Sequence, residues 1–467
     1  MNRWSVAAGV YAALVVAVLA YFLLRLPVQL SDSYGNLVQA SQGTLWSLLE
    51  QQFHARAFLR PFLWGLIRVV FDLSGGHYYE WFRGWHVCQV AVLAILFLRL
   101  VRPVTPAGAA VVPLGLAVLL GVHTFTGTVV EAFPINTFMT ILLCMLAAAD
   151  IAMGPPRWWR DVAAAAIFIF AALTVETGLL VPVVFVAAFA AGARGVSRTG
   201  VAAQVALVGA YFALRFVVLR VGTPGMDERS SGFGFSFRDP AELSAIFGAH
   251  PILFYAYNVV SSVLSVLFAE PRAGVWRFAS QLAAGTPPAG QIVNVLASAI
   301  ATGLLGWFVW TRRAAWRSRR FERADQLVIV FLAVLPANAA IAYAYSKDVI
   351  LSPAGALLAV AVAAAARQLL ESVPRMRRSA AAMALVTLTV LSCTWSIRAV
   401  GLHVVMRRAA ANTATDWAYA DSWLEGQHLT PATPFETALK TRLQDDAVRR
   451  HPVTYLRPAW NDWFEDH

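Results

Sequence analysis

Long apolar runs recur along the chain, separated by short polar segments. We interpret runs long enough to cross a hydrocarbon core of about 30 Å as membrane spans. The predicted spans are Trp4–Leu26, Tyr79–Val101, Ala107–His123, Ile135–Met153, Val162–Val175, Leu179–Ala191, Val201–Val221, Ile292–Trp310, Gln326–Tyr345, Ala354–Leu370 and Ala380–Val400. The pattern predicts an all-α polytopic membrane protein of about 11 transmembrane helices, in a range of about 10–13, with juxtamembrane helices on the outer face.

The Lys/Arg bias of the short loops sets the predicted orientation. The segment Arg312–Arg323 is strongly basic, and the loops at 157–160, 194–198 and 375–378 are basic as well. All four lie inside if the N-terminus is inside and the run Ile252–Phe268 does not cross. The alternative of about 13 spans would place the loops at 157 and 194 outside, which the bias disfavours.

This topology divides the chain into four regions. Residues 1–221 form a membrane module with an outer loop at 27–78, and residues 222–291 form an outer-face region with an interfacial or re-entrant helix. Residues 292–400 form the C-terminal membrane helices, and 401–467 form a polar tail on the outer face. We expect a bacterial inner-membrane protein with a cytoplasmic N-terminus and a periplasmic site and tail.

Composition supports a membrane protein and excludes other classes. The chain is 59% hydrophobic and 13% charged, with net charge +11, and its mean hydropathy is +0.61. A soluble protein carries about twice that charged fraction. A nucleic-acid partner is not expected, because no basic patch falls on a soluble domain. Cys88, Cys144 and Cys393 each lie in an apolar run, which favours buried small residues over a disulfide or metal cluster. The first run lacks a small-residue cleavage site, so we interpret it as an uncleaved span.

Most carboxylates fall on the predicted outer face, so acid–base chemistry belongs there. Asp32, in QLSDSYGN, either caps a surface helix or accepts a proton from an acceptor hydroxyl. Glu131, in HTFTGTVVEAFPIN, is either a solvated loop residue or a second acidic group, and His123 can face the same cavity. Glu176 has apolar residues on both sides, so it either lies in a short outer turn or faces a cavity with a charged partner.

Cations gather on the same face. Arg215, within the seventh span, either extends to the surface or partners Glu176 or a phosphate. Lys347 and Asp348 form either a solvated pair or, through Lys347, a phosphate contact. Arg272, with Trp276 and Arg277 nearby, is more typical of an interfacial anchor.

The outer loop after the first span carries a further basic group. Arg56, Arg60 and Arg68 lie on two segments with helical periodicity, neither long and clean enough to be a convincing span. A charge cluster at a membrane surface between apolar spans has the composition of a site for an anionic, lipid-linked substrate. Arg56 and Arg68 stay ambiguous between phosphate contacts and interfacial anchors.

Five short segments, in this order, resemble segments of the GT-C superfamily of integral membrane glycosyltransferases, with the protein O-mannosyltransferase branch as the nearest in character. They are FLRPFLWGLIRVVFDLSGGHYYEWFRGWHVCQVAVLAIL, HTFTGTVVEAFPIN, LTVETGLLVPVV, YFALRFVVLRVGTPG and YSKDVILSPAGALL. The resemblance covers about residues 1–370. Val175 stands where the family often has Lys, Lys347 stands for the usual Arg, and the first acidic motif has the single Asp32 and no paired acid. The tail has no tetratricopeptide array.

The resemblance implies a GT-C-like enzyme that moves a sugar, with inversion, from a polyprenyl-phosphate or polyprenyl-diphosphate donor to a glycan, lipid or protein acceptor. It assigns Asp32 as the catalytic base or metal-linked acid and Glu131 as the second acidic residue. It assigns Arg60, Arg215 and Lys347 to the donor phosphate. Further residues expected to line the site are His54, Arg56, His123, Glu176 and Arg272. A divalent metal, Mg²⁺ or Mn²⁺, has Asp32 as its candidate ligand.

Two other functions compete with this hypothesis. A transporter or flippase of a lipid-linked or anionic substrate explains embedded charge equally well, but it predicts an internal repeat that the sequence lacks. A structural protein would carry the charges for topology alone. In the tail, Trp417, Trp423, Trp460 and Trp463 either cap the outer cavity and stack on sugar, or belong to an appendage without a site role.

Overall fold

The computed structural model describes residues 2–30, 32–54, 58–131, 134–220, 251–268, 274–342, 348–426, 431 and 433–450. These residues form helices and no strand. The first half contains α1 (Arg3–Leu23), α2 (Asp32–Gln42), α3 (Leu45–His54), α4 (Pro61–Ser74), α5 (Tyr78–Val101), α6 (Pro106–Ala110), α7 (Val112–Gly121), α8 (His123–Val129), α9 (Thr137–Ala152), α10 (Trp158–Ala172), α11 (Val181–Ala190) and α12 (Arg198–Phe212).

The second half contains α13 (Pro251–Phe268), α14 (Gly274–Ala283), α15 (Ala289–Arg317), α16 (Arg323–Ile341), α17 (Ser352–Ser372), α18 (Arg378–Ala418), α19 (Ala420–Gly426) and α20 (Pro434–Arg450). Short 3₁₀ turns occupy Glu176–Leu180, Asp348–Leu351 and Val373–Arg375, and a π-helical turn occupies Ala213–Val218.

The described helices are compatible with a polytopic membrane protein. Seven of them are long and apolar enough to cross a membrane, or eight if the bent pair Pro106–Gly121 and His123–Val129 counts as one span. The helices α9 and α11 are shorter than the apolar runs that predicted them, and α10 ends at Ala172, before the predicted end at Val175. The three helices reach only about 15–24 Å. One cause is visible at α10, where the main-chain N–H of Phe62 donates to Leu173 O (3.1 Å) just past the helix end. The count of about 11 spans stays a prediction.

Hydrogen bonds identify one end of the bundle, which we call the arginine-rich end (Arg99, Arg102, Arg160, Arg323 and Arg367). Here Asn2 Nδ2 donates to Val104 O (2.7 Å), so the start of α1 meets the segment after α5. Arg323 Nη1 donates to Met153 O (3.0 Å), which brings the start of α16 to the end of α9. Chain segments that are far apart in sequence therefore meet at this end.

The opposite end, which we call the Asp32 end, contains Val28, Asp32, Arg60, Glu131 and Glu176. Gln29 Nε2 donates to Val130 O (3.1 Å), which joins the segment after α1 to the segment after α8. Trp417 Nε1 donates to Val28 O (2.7 Å), which brings the far end of α18 to the same place. The helices of the first half therefore alternate in direction between the two ends.

The centre of the bundle is the helix α17, whose apolar window is wholly buried by its neighbours. Two glycines allow close packing there. A Cβ on Gly115 would lie 2.5 Å from the Phe97 ring, and one on Gly355 would lie 2.2 Å from Thr124 Oγ1. Small residues at such positions let helices pack closely. In a membrane this close packing holds helices together, because the hydrophobic effect does not drive their association there.

The outer faces of several helices are apolar, as expected for contact with lipid. On α1, Val10, Leu14 and Val18 form an exposed stripe, with Leu14 62% exposed. The helix α13 exposes Ile252 (77%) while it buries Ser262 completely. An arrangement with the apolar face outward and the polar face inward is unfavourable in water and suits a bilayer.

The helix α13 belongs to the packed bundle. It packs against α15 and α16, and Thr302 Oγ1 donates to Leu267 O (2.6 Å). This packing buries Val266 completely, and the interfacial alternative for residues 222–291 stays a prediction. The re-entrant alternative stays a prediction, and residues 221–250 lie outside the described residues.

A separate apolar core lies beyond the Asp32 end, in what we call the cap module (α2, α4, the start of α5, the end of α18, α19 and α20). Trp417 is fully buried there and meets Tyr34 edge-on, with ring centroids 6.1 Å apart. Burial, with the nearby Glu436 carboxylate, raises the pKa of Tyr34 to about 12. The predicted boundary at residue 400 falls within α18, which continues unbroken to Ala418 and anchors a folded tail.

We predict that Trp417→Ala detaches the cap module. The substitution removes a fully buried indole and its hydrogen bond to Val28 O, which should lower the free energy of unfolding by about 3–5 kcal/mol. The checks are the thermal unfolding midpoint and the rate at which protease releases α20. Tyr419→Ala, at a side chain 70% exposed two residues later, is the matched control and should leave both unchanged. Equal protection of α20 in the two variants would contradict the prediction.

Candidate functional site

Glu176 is presented by a tight break between α10 and α11. Val175 is extended (φ −155°, ψ 147°), and the chain then forms a 3₁₀ turn. Gly178 allows this turn to lie directly on α10, since a Cβ at Gly178 would be 2.2 Å from the carbonyl carbon of Ala171. The sequence Glu-Thr-Gly therefore places a carboxylate inside the bundle at the junction of two apolar helices.

Arg60 approaches Glu176 from the outer loop. It is the residue before α4, whose first position is Pro61, a residue suited to that place because it needs no N–H partner. Arg60 Nη2 and Nε donate to Glu176 Oε2 at 2.6 and 3.1 Å. Its guanidinium also lies 4.0 Å from the centre of the Phe58 ring.

Arg215 approaches the same carboxylate from the opposite side. It lies in the π-helical turn at the end of α12, an irregularity that is frequent at functional sites. Arg215 Nη1 donates to Glu176 Oε1 (3.3 Å) and to Tyr211 Oη (2.7 Å). We call these four residues the Glu176 cluster (Tyr211, Arg215, Glu176 and Arg60).

The Glu176 cluster is almost completely buried. The side chains of Glu176 and Arg215 are each 1% exposed, and Arg60 is 14% exposed. The prediction that Arg215 partners Glu176 is confirmed. Glu176 does lie in a short turn between two apolar helices, as the alternative expected, but this turn is packed inside the bundle. Arg60 and Arg215, both predicted to contact a donor phosphate, both bind this carboxylate. Buried charges are costly unless they are paired and hydrogen-bonded.

Asp32 lies at the same end and has a different environment. It is the first residue of α2 and is exposed. Its carboxylate makes no hydrogen bond or ion pair with any described residue, and Ser31 before it lies outside those residues. A negative charge in the first turn interacts favourably with the helix dipole. The carboxylate is therefore accessible to a molecule that approaches from outside.

Glu131 and His123 flank the short helix α8. Glu131 is buried. It follows Val130, whose main-chain carbonyl accepts from Gln29 Nε2 in the segment that leads to Asp32. His123, at the start of α8, has Nε2 3.7 Å from Asp348 Oδ1. Because Asp348 begins the turn before α17, the break at α8 joins the two halves of the chain. His123 is therefore linked to Asp348.

The remaining predicted site residues divide into two groups. Lys347, Arg56 and Arg272 lie outside the described residues, so their roles stay predictions. His54 ends α3 and is exposed, and its imidazole makes no hydrogen bond or ion pair with a described residue. No hydrogen bond or ion pair joins His54 to the Glu176 cluster.

Sequence reasoning missed a buried pair on α5 that supports the Asp32 segment. Arg83 donates to Leu26 O (2.7 Å) and Pro27 O (2.5 Å), and its Nη1 lies 2.9 Å from His86 Nδ1. His86 Nε2 lies 2.8 Å from Pro134 O. Since a carbonyl can only accept, Nε2 carries the proton and Nδ1 accepts from Arg83. The sequence feature that could have predicted this pair is FRGWHV, in which Arg and His are three residues apart and so lie on one face of an apolar helix.

A second missed residue, Arg398, supports the bend between α7 and α8, which is 69°. It donates to Gly121 O (3.2 Å) at the end of α7 and to Asn294 O (2.8 Å) on α15. The Arg398 guanidinium thus donates to the main-chain carbonyl of Gly121, which lacks its regular helical partner because the helix ends at the bend. An arginine just before the end of a predicted apolar span was the available signal.

The described residues do not fit the divalent metal that the resemblance allows. They contain no group of three or more His, Cys, Asp or Glu side chains placed to hold a metal ion. Among these residues, no hydrogen bond or ion pair links Asp32 to a second carboxylate. We therefore derive no step through a metal.

Comparisons with protein-family models, with curated proteins and with solved structures find no significant match for this chain.

We predict that Glu176→Gln destabilises the bundle. The amide keeps the size of the side chain but removes the charge that two guanidinium groups share, which should cost roughly 3–5 kcal/mol of unfolding free energy. The thermal unfolding midpoint of the purified protein measures the effect. Glu50→Gln, at an exposed position on α3, is the control and should leave the midpoint unchanged. A midpoint for Glu176→Gln equal to that of the native chain would show that the pairing adds no stability.

We also predict opposite effects of alanine at two glycines. Gly178→Ala places a Cβ against the backbone of α10 and should destabilise by about 1–3 kcal/mol, as overpacking does. Gly209→Ala, where a Cβ meets nothing within 4 Å, should be neutral or stabilising by up to about 1 kcal/mol, because alanine favours the helix. Unfolding midpoints of the two variants test the pair. The packing argument fails if Gly178→Ala is as stable as Gly209→Ala.

Proposed function

We propose that the chain is a membrane glycosyltransferase of the GT-C type, which moves a sugar from a polyprenyl-phosphate or polyprenyl-diphosphate donor to an acceptor at the Asp32 end. The observation that carries the proposal is the combination at one end of an exposed carboxylate, Asp32, with the buried Glu176 cluster. Transfer from such a donor needs a base for the acceptor hydroxyl and cations near the leaving phosphate.

The exposure of Asp32 supports its role as the base. No described side chain competes for its carboxylate, so an acceptor hydroxyl can hydrogen-bond to it and lose its proton during attack on the sugar carbon. Arg83 and the Gln29 contact fix the segment that leads to Asp32. A fixed segment lowers the entropic cost of orienting the base in the transition state.

The Glu176 cluster supports the position of the donor phosphate. Ionisable residues inside a membrane bundle are expensive and are a functional-site hypothesis by default. Glu176 fixes the guanidinium groups of Arg60 and Arg215, and Arg60 retains partial exposure. In this proposal Arg60 and Arg215 supply positive charge beside the phosphate, and Glu176 acts as a positioning residue for both arginines.

The orientation belongs to the same proposal. The basic loops collect at the arginine-rich end, which by the Lys/Arg bias faces the cytoplasm. The Asp32 end and the cap module then face outward, on the periplasmic side of a bacterial inner membrane. Acceptors on that side are glycans, lipids or proteins of the cell envelope.

One observation favours a second candidate, a transporter or flippase of a lipid-linked or anionic substrate. The chain breaks at the bend between α7 and α8 and again at Glu176. Broken helices whose ends face a binding site are typical of transporters. The two candidates differ in outcome, since a transporter moves its substrate across the bilayer without forming a new glycosidic bond.

The test is a donor screen on the full purified chain in lipid nanodiscs. Radiolabelled polyprenyl-linked sugars are supplied with glycan, lipid and peptide acceptors, and label in the acceptor is measured. We predict that Asp32→Asn lowers the transfer rate by about 10²–10⁴-fold, the usual contribution of a general base, without changing the unfolding midpoint.

The matched control is Asp72→Asn, at a side chain 51% exposed on α4 and paired with Arg68 of the same helix. It should transfer at the native rate. Equal rates for Asp32→Asn and the native chain would refute the base assignment. Transport of intact donor with no labelled acceptor would support the second candidate.

A further inference from the structure

A cavity lies at the arginine-rich end, at the opposite end of the bundle from the Glu176 cluster. Its volume is about 290 Å³, close to the lower limit of ligand sites at about 300 Å³. The end of α5, the start of α16 and the last turns of α17 enclose it. The proposed transfer reaction makes no use of it.

Three arginines line this cavity, and two of them lack an ion pair with any described carboxylate. Arg367 pairs with Glu371 (2.8 Å) on its own helix. Arg102 and Arg323 have no such pair, and Asp150, which does not line the cavity, pairs with Arg99 at 2.7 Å. The other lining carboxylate, Glu322, pairs with Arg312 (2.9 Å). The cavity is therefore a positively charged recess.

The guanidinium of Arg323 is held in place before any ligand arrives, whereas the side chain of Arg102 is exposed. Arg323 donates to Met153 O (3.0 Å) and, more weakly, to Leu100 O (3.4 Å), so its guanidinium is fixed between α5 and α9. Arg102 ends α5 in the left-handed region (φ 50°), where glycine is the usual residue. Fixed donors reduce the entropic cost of binding an anion.

The rest of the wall is apolar. Leu327, Val360 and Ala364 line the cavity from α16 and α17, two helices long and apolar enough to cross a membrane. Arg102 follows α5, Arg323 begins α16 and Arg367 lies near the end of α17. The ends of membrane-spanning helices are where lipid headgroups lie. A recess that is cationic at headgroup depth and apolar along the helices matches an anionic amphiphile better than a free anion.

We propose that this cavity binds an anionic phospholipid, with the phosphate between the guanidinium groups of Arg102 and Arg323. Guanidinium groups bind phosphate oxygens through paired N–H donors, and basic pockets between membrane helices are known to take anionic headgroups. The first carbons of the acyl chains lie against Leu327, Val360 and Ala364. The bound lipid balances two like charges and so stabilises the meeting of α5, α16 and α17.

Native mass spectrometry of the full detergent-solubilised chain tests the proposal. Titration with phosphatidylglycerol should give one retained lipid, whereas phosphatidylcholine should be retained at least tenfold less. Arg102→Gln should weaken phosphatidylglycerol binding by about fivefold, the effect of one basic side chain near an anionic headgroup. The control is Arg317→Gln, which removes the same charge from an exposed position at this end outside the cavity. It should bind as the native chain does.

A second variant addresses the lipid chains and does not depend on charge. Ala364→Leu fills the apolar part of the cavity and should weaken phosphatidylglycerol binding by a similar factor. Arg102→Lys keeps the charge and should retain more phosphatidylglycerol binding than Arg102→Gln. The proposal is overturned by equal affinity of Arg102→Gln and the native chain, by equal loss in Arg317→Gln, or by equal binding of phosphatidylcholine. Full competition by inorganic phosphate at the same concentration as lipid would assign the cavity to free anions and would also overturn it.

Discussion

Every helix that ends inside an apolar bundle leaves main-chain carbonyls that need a donor, and this requirement governs the architecture. The chain meets it with long polar side chains from neighbouring helices. Arg83 serves Leu26 and Pro27, Arg398 serves Gly121 and Asn294, and Asn338 Nδ2 serves Ile350 O at 2.9 Å. Because these donors are in place, the helices can stop and turn within the bundle.

The breaks in turn create the polar interior of the Asp32 end. A continuous helix from α10 to α11 would keep Glu176 in a regular turn, whereas the 3₁₀ turn directs it towards Arg60 and Arg215. One carboxylate thereby ties together the outer loop, the break and the π-helical turn of α12. The same arrangement serves stability and, in the proposed transferase, the placement of cations near a leaving phosphate.

Sequence patterns predicted the helical class and most helices, because apolar runs are long and the hydrocarbon core sets their length. They did not predict where helices stop, since the end of α10 meets a hydrogen bond from the main-chain N–H of Phe62, which lies far earlier in the chain, in α4. Arg215 was recognised as a partner of Glu176 because both are charges in apolar surroundings. The contribution of Arg60, 116 residues from Glu176, and the burial of Trp417 depend on tertiary packing that no local pattern records.

The helix α18 has 41 residues, about 60 Å in length, and so extends well past a bilayer before it meets Val28. The contact between Val28 and Trp417 joins positions 389 residues apart. During synthesis the early helices are complete long before Trp417 leaves the ribosome, so the cap module forms last. A chain that stops short of α18 lacks its cap, so the surroundings of the candidate site are complete only once α18, α19 and α20 have been made.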